Sequence, residues 1–441
     1  MAKFKAKDSL FVLLLLTAVV IIFPPLGRVP LQPDEIVLST LAEKFAKLGI
    51  GSVFTDTDAD FLSNFYAYIV SVCHNNLDIS DTLAVRLPSA VIILLLTLGL
   101  YQFCDRRDKL SHSFLAALLF ISSYLVSSLA YRASTVSLIA LPFIFSLSAV
   151  YHWTKSPNLN KTYLLIITTL FTSIFMGILG PVAVWIMGII LLLMQESRKI
   201  WQYLRLTANI AAGTVAAYVM IVFITNDTTI ATSILGVGQV TESLSEYSKL
   251  EIFIRHIVFS IFPWSIPIII GLFWITANPS WIRRQFLSLN FFRQFGVILF
   301  LLAIPTFFAF NRLSLVMLLV AIFFNMSVIS SFILSQIHNH TISWRITGSL
   351  FGLLIAIFAG MFVALHFGVS IEMFGYRMPP FADWSVWSIL LLVSIAVSLY
   401  TLSRNQRTIH LNNRYLYNIV ILYILAQLLY KGFVNPYLIA L

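Results

Sequence analysis

"SLFVLLLLTAVVIIFPPLGRVPLQPDEIVLSTLAEKF", residues 9–45, runs from an unbroken apolar segment through a Pro-containing link into two adjacent carboxylates, Asp34 and Glu35. The apolar part follows Lys3, Lys5 and Lys7, and no small-x-small cleavage site comes after it. It therefore reads as a retained membrane helix rather than a signal peptide. Past the link, Pro33 suits a first helical position, and Asp34 and Glu35 suit the positive end of the helix dipole. Leu38, Leu41, Phe45 and Leu48 then recur at three- and four-residue spacing up to Gly49, which predicts an amphipathic helix lying in the membrane interface.

The rest of the chain extends this pattern. Of 441 residues 59% are hydrophobic and 10% charged, mean hydropathy is +0.91, and apolar runs of about 17 to 23 residues recur. A water-soluble fold of this length would have to bury more apolar surface than one core holds, so the class is an all-α polytopic membrane protein. Thirteen spans are predicted, at about 9–24, 84–104, 112–129, 134–151, 162–178, 180–195, 206–225, 257–278, 294–310, 313–334, 346–368, 384–403 and 413–433. They form a single transmembrane domain over 1–441, with no soluble domain expected after the last span. Cys73 and Cys104 are too few for a disulfide framework.

With the N-terminus in the cytoplasm, 18 of the 28 Lys and Arg residues fall inside, as the positive-inside rule requires. The net charge of +10 then records orientation and contact with anionic lipid, not nucleic-acid binding. Of the 18 acidic residues, 14 fall outside, although carboxylates contribute little to topology. Function on the outer face is the leading cause for that excess. The longest outer segment, 25–83, is also the most acidic, and a second interfacial helix is predicted there from about Asp60 to His74, with Phe61, Phe65, Tyr68 and Val72 on its apolar side. Between the two helices "GIGSVFTDTDAD", 49–60, reads as a polar turn. "FGYRMPPFADW", 374–384, reads as an aromatic belt at the membrane edge or part of a lipid groove.

The order of motifs carries a resemblance. A first span, then "PDE" heading a loop helix, "AVRLPSAV" (84–91) opening the second span, "GPVAVW" (180–185) and "HIVFSIFPWSIP" (256–267) is similar to the GT-C membrane glycosyltransferases. Residues 8 to about 320 resemble the aminoarabinose-transferase and protein O-mannosyltransferase group. The resemblance implies an inverting enzyme of the bacterial inner membrane. It would move a sugar from a polyprenyl phosphate, at the periplasmic face, to a lipid, glycan or protein acceptor. Such chemistry needs a carboxylate for the acceptor and cations for the phosphate leaving group. It assigns Asp34 as base or acceptor-orienting carboxylate, with Glu35 beside it, and Arg132, Arg255, His256 and Arg86 to the donor phosphate. The candidate cofactor is a divalent metal ion on Asp60 and His256, and the partners are the carrier-linked sugar and membrane lipid. From the residues alone, Asp34 and Glu35 also suit plain helix capping, and Arg86 the orientation of the second span.

The chain departs from the family at several places. Leu38 stands where an Arg is usual, "ADFLSNFYAY" replaces a Glu-Lys-Pro-Pro stretch, Ser137 replaces an Asp, and Leu179 replaces a Lys before the Gly-Pro. Arg312, Arg377 and Lys431 are the outer-face cations available as substitutes. These losses motivate a second expectation, a non-catalytic accessory subunit of envelope glycan assembly. A transporter of lipid-linked glycans is a third, for which the spans hold few polar residues.

Overall fold

A computed structural model of the chain describes residues 11–12, 14–19, 22–23, 26, 31–56, 60–77, 79–105, 110–193, 200–236, 316–326, 371–373 and 376–378. Predicted spans at 257–278, 294–310, 346–368, 384–403 and 413–433 lie outside them. Residues 14–19 of the first apolar run are helical, and Leu14, Ala18 and Ile22 are buried.

The segment 25–83 forms its first predicted helix. Helix α1 (Pro33–Leu48) opens with Pro33 and ends at Gly49, whose φ of 77° lies in the left-handed region that glycine enters without strain. Its buried face is Glu35, Leu38, Ala42 and Phe45, whereas Leu48 is exposed. The predicted polar turn contains a short helix instead, α2 (Ile50–Thr55), because Val53 is drawn into the core and the Phe54 ring meets Phe61 at 5.3 Å. Helix α3 (Phe61–Leu77) packs along α1 and against the second span, α4 (Asp81–Asp105). Leu62, Tyr66 and Val70 are fully buried in α3, while Val72, expected on the apolar side, is 41% exposed. Two apolar stripes on this helix fit the helical period, and packing on α4 selects one of them.

Helices α5 (Leu110–Ser122) and α6 (Tyr124–Tyr131) occupy the predicted third span. Their pieces Ser113–Ile121 and Leu125–Tyr131 meet at 60°, so the span is broken rather than straight. Ser123 sits fully buried at the break, where its hydroxyl donates to the Phe120 carbonyl at 2.8 Å and its own carbonyl accepts the Ser127 amide. Backbone freed at a break inside a membrane protein must find partners of this kind.

Among the described residues four helices are long and apolar enough to cross a bilayer: Asp81–Phe103 of α4, α7 (Thr135–Lys155), α8 (Leu159–Met176) and α10 (Ile200–Thr225). The shorter apolar helices α9 (Leu179–Leu193) and α12 (Val316–Met326) fall within the predicted spans 180–195 and 313–334. Single side-chain hydrogen bonds join neighbours. Ser146 and Thr172 link α7 to α8 at 2.7 Å, and Trp185 Nε1 donates to Thr207 between α9 and α10 at 3.0 Å. Each such bond contributes about 0.6 kcal/mol. Val215, Val219 and Phe223 of α10 form an exposed apolar stripe, the lipid-facing side of a spanning helix.

After α10, the short helix α11 (Thr228–Ile234) returns to the corner between α8 and α9, where the Ile178 amide donates to the Leu235 carbonyl at 2.9 Å. Strands β1 (Ile371–Met373) and β2 (Tyr376–Met378) pair antiparallel with Glu372 opposite Arg377, a small exception to the helices among the described residues.

Where α8 and α10 cross, a Cβ on Gly213 would lie 2.7 Å from the Ile166 carbonyl oxygen and 2.9 Å from Thr169 Cβ. Close backbone approach of this kind is how membrane helices gain contact area. Gly213→Ala is expected to destabilise the protein by about 1–3 kcal/mol. Gly99→Ala, where a Cβ meets nothing within 4 Å, is expected to be neutral or stabilising. Thermal unfolding of both variants in detergent checks the contrast.

Candidate functional site

The site begins with Glu35, at the third position of α1. Its place in the first turn lets Oε2 accept the Gln32 amide at 3.0 Å, the glutamate half of a capping box. One turn into α4, Arg86 reaches it with a planar fork. Nε donates to Oε1 at 2.9 Å and Nη2 to Oε2 at 2.6 Å, while Nη1 donates to the Leu26 carbonyl at 3.0 Å. The Ala133 amide, from the link between α6 and α7, donates to Oε1 at 3.0 Å. Each carboxylate oxygen thus accepts two hydrogen bonds, and both side chains are buried, at 2% relative exposure. Three segments distant in sequence are tied at one carboxylate. Burial pushes the Glu35 carboxyl up, but the hydrogen bonds from Arg86, Gln32 and Ala133 and the Arg86 charge together hold it below the ordinary value of 4.5.

A second cluster lies beside the first. Ser89, one turn after Arg86, has its hydroxyl 2.8 Å from the Tyr66 hydroxyl of α3 and 3.2 Å from the Ser137 hydroxyl of α7. It accepts the Ser134 amide at 3.0 Å. Tyr66 also donates to the Val85 carbonyl at 2.9 Å, and Ser137 donates to the Ser134 carbonyl at 2.7 Å. Ser89, Ser137 and Tyr66 are fully buried. Burial pushes the Tyr66 phenol up, so it remains a hydrogen-bond donor at any pH of interest.

Around these buried clusters the remaining candidates are placed as follows. Asp34 precedes Glu35 and is exposed, and Arg132 caps the end of α6, precedes Ala133 and is exposed. The Ala133–Glu35 hydrogen bond therefore brings the segments carrying Asp34 and Arg132 together, one residue from each side. Asp60 stands just before α3, where its carbonyl accepts the Asn64 amide at 3.0 Å. At that end Asn64 Nδ2 donates to the Asp56 carbonyl at 2.9 Å, and Lys44 of α1 pairs with Asp56. Lys44 lies nine residues past Glu35, about 13 Å along the helix. Arg255 and His256 lie outside the described residues. Among the described residues no three His, Cys, Asp or Glu side chains gather where they could hold a metal ion; the expected metal site pairs Asp60 with His256, which lies outside them.

Sequence reading singled out Glu35 and Arg86 separately and missed that they pair across 51 residues. It also missed Tyr66, Ser89 and Ser134. The "RLPS" stretch held the one available signal, since Arg86 and Ser89 are three apart and share a helix face.

No protein-family model matches the chain, and no curated protein does. Solved structures share its architecture, among them two of one protein. ArnT from Cupriavidus metallidurans bound to undecaprenyl phosphate aligns with a TM-score of 0.61 and 14% identity, over 95% of this chain and 77% of that one. The same protein in the apo state aligns with a TM-score of 0.61 and 13% identity, over 97% and 78%. The chain is a multi-pass membrane protein with the GT-C fold, and at this identity the likeness speaks to fold alone.

Proposed function

We propose that this protein is a GT-C glycosyltransferase that uses a polyprenyl-phosphate-linked sugar at the outer face of the bacterial inner membrane. The observation that carries the reading is the hydrogen bond from the Ala133 amide to the buried Glu35, which joins the segments that carry the exposed Asp34, next to Glu35, and the exposed Arg132, next to Ala133. The fold likeness to a protein that binds undecaprenyl phosphate supports it.

In this reading the acceptor hydroxyl or amine attacks the sugar C1, the bond from C1 to the carrier phosphate oxygen breaks, and polyprenyl phosphate leaves with inversion at C1. Asp34, whose carboxylate is open to solvent, orients the acceptor and takes its proton. Arg132 stabilises the charge that develops on the phosphate, for which a guanidinium fork is suited. Glu35 is a bracket here, not a base, because both its oxygens are already filled and Arg86 holds it ionised. Arg86 in turn serves the bracket and not the phosphate. Arg255 and His256 remain candidates for further phosphate contacts on sequence grounds.

The test is donor turnover. Wild-type protein in vesicles of bacterial lipid is expected to release undecaprenyl phosphate from an undecaprenyl-phosphate-linked sugar when an acceptor lipid extract is present, and Arg132→Ala is expected to lower that release by about 10²–10³-fold. Failure of the wild-type protein to turn over any donor in a panel of carrier-linked sugars would overturn the enzyme reading and leave the non-catalytic one. A specific observation favours that second reading: Ser137, where the family has an Asp, is fully buried and bonded to Ser134 and Ser89.

A further inference from the structure

We infer that Ser89, braced by Tyr66, is a positioning residue for Arg132, fixing the link that carries this arginine so that its side chain meets the donor phosphate. The inference rests on the reading of Arg132 as a phosphate ligand. It adds residues that neither the motifs nor the fold likeness assigns.

The geometry is specific. The link between α6 and α7 is residues Arg132, Ala133 and Ser134, and its backbone is extended at both ends, with ψ of 145° at Arg132 and 119° at Ser134. Backbone of this kind makes no helical hydrogen bonds of its own, so its amides need partners from elsewhere. Two successive amides find them on two different helices: Ala133 donates to Glu35 of α1 and Ser134 to Ser89 of α4. A pair of anchors on neighbouring amides fixes both the position and the rotation of the link, whereas one anchor would leave it free to pivot. Arg132 is the residue directly before the first anchor, and its side chain is exposed.

Ser89 is suited to this by its hydrogen-bond inventory. A hydroxyl has one proton and two lone pairs. Tyr66 donates its proton to the Val85 carbonyl and Ser137 its proton to the Ser134 carbonyl. The Ser89 proton then has three acceptors in reach, these two hydroxyls and the Ser134 carbonyl at 3.4 Å, and a Ser89 lone pair is left for the Ser134 amide. Ser137 closes the loop from the other side, since it holds the carbonyl of the same Ser134 whose amide Ser89 accepts. In this chain the position where the family carries an Asp has become part of the clamp on the arginine link. Tyr66, fully buried between α3 and α4, sets where Ser89 sits.

The experiment measures undecaprenyl phosphate binding to the full-length protein in lipid nanodiscs, with four variants: Arg132→Ala, Ser89→Ala, Tyr66→Phe and Ser89→Ala combined with Arg132→Ala. Arg132→Ala is expected to weaken binding by at least about tenfold, and Ser89→Ala by about three- to tenfold. In the Arg132→Ala background, Ser89→Ala is expected to cause no further loss, because its effect passes through the arginine. A purely structural role would weaken binding equally in both backgrounds, and that result overturns the inference. Tyr66→Phe supplies the same reading with a milder change should Ser89→Ala fail to fold, and an unchanged affinity in the folded Tyr66→Phe variant likewise counts against it. If Arg132→Ala weakens binding while Ser89→Ala and Tyr66→Phe do not, this inference fails and the donor reading stands. Absence of binding by the wild-type protein overturns both.

Discussion

Asp34→Asn is expected to lower sugar transfer by about 10²–10⁴-fold, the range for loss of a positioned general base. The side chain is exposed in the first turn of α1, so the isosteric amide fits without clash. The stability cost is limited to the interaction of one carboxylate with the helix dipole, about 0.3–1 kcal/mol. Binding of undecaprenyl phosphate is expected to persist, because the role proposed for the carboxylate is on the acceptor and not on the carrier. The measurement is initial rate of donor turnover alongside thermal unfolding, with Asp34→Glu as a second variant that keeps the charge but moves it by one methylene. A turnover rate within a factor of about two of wild type for a folded Asp34→Asn protein sinks the assignment.

The largest effect on stability is expected at Glu35 and Arg86. The pair is desolvated, and removing one member strands the other charge in a low-dielectric site, at a cost of about 3–5 kcal/mol. Arg86→Leu is the harsher of the two substitutions, because it leaves Glu35 with only the Gln32 and Ala133 amides and also frees the Leu26 carbonyl. Replacing both residues, as Glu35→Leu with Arg86→Met, is expected to lie closer to the wild type in stability than either single change, since no buried charge is left. That double variant is nonetheless expected to lose transfer, for the link bearing Arg132 would lose its first anchor.

The same pair sets an acid limit. The folded-state carboxyl of Glu35 is held below its ordinary value, so its contribution to stability is complete above about pH 4.5 and is lost as pH falls through the lowered folded value. Limited proteolysis of the outer loop across that range, with the double variant as the control that carries no such dependence, checks the sign. A loop that becomes more protected on acidification would contradict it.

How much of this was legible in the sequence differs from element to element. Helix α1 was readable to its ends, because Pro33, the paired acids and Gly49 are local signals that act through nearby backbone. The spans that fall among the described residues were readable because about 20 apolar residues cross a bilayer only as a helix. The 60° break at Ser123 was not, since a serine in an apolar run has no local mark of whether it faces a neighbour or bends the chain. Helix α2 was missed for a related reason: six residues that include Gly51 and follow directly on Gly49 have little intrinsic helix preference, and burial of Val53 decides the matter.

The sequence by itself determined that this is a helical membrane protein with a carboxylate-rich segment at 25–83, and it named Asp34, Glu35, Arg86 and Arg132 among its residues of interest. Those features depend on composition and on spacing within one element, which short-range physics controls. Only the tertiary structure decided which of the four are buried and paired and which are exposed. Glu35 is filled by Arg86 from 51 residues away and by Ala133 from 98 residues away, and those contacts leave Asp34 and Arg132 as the exposed pair. The division arises because a carboxylate's chemistry is fixed by which donors reach its lone pairs, and those donors are brought by packing between helices, not by neighbours in the chain.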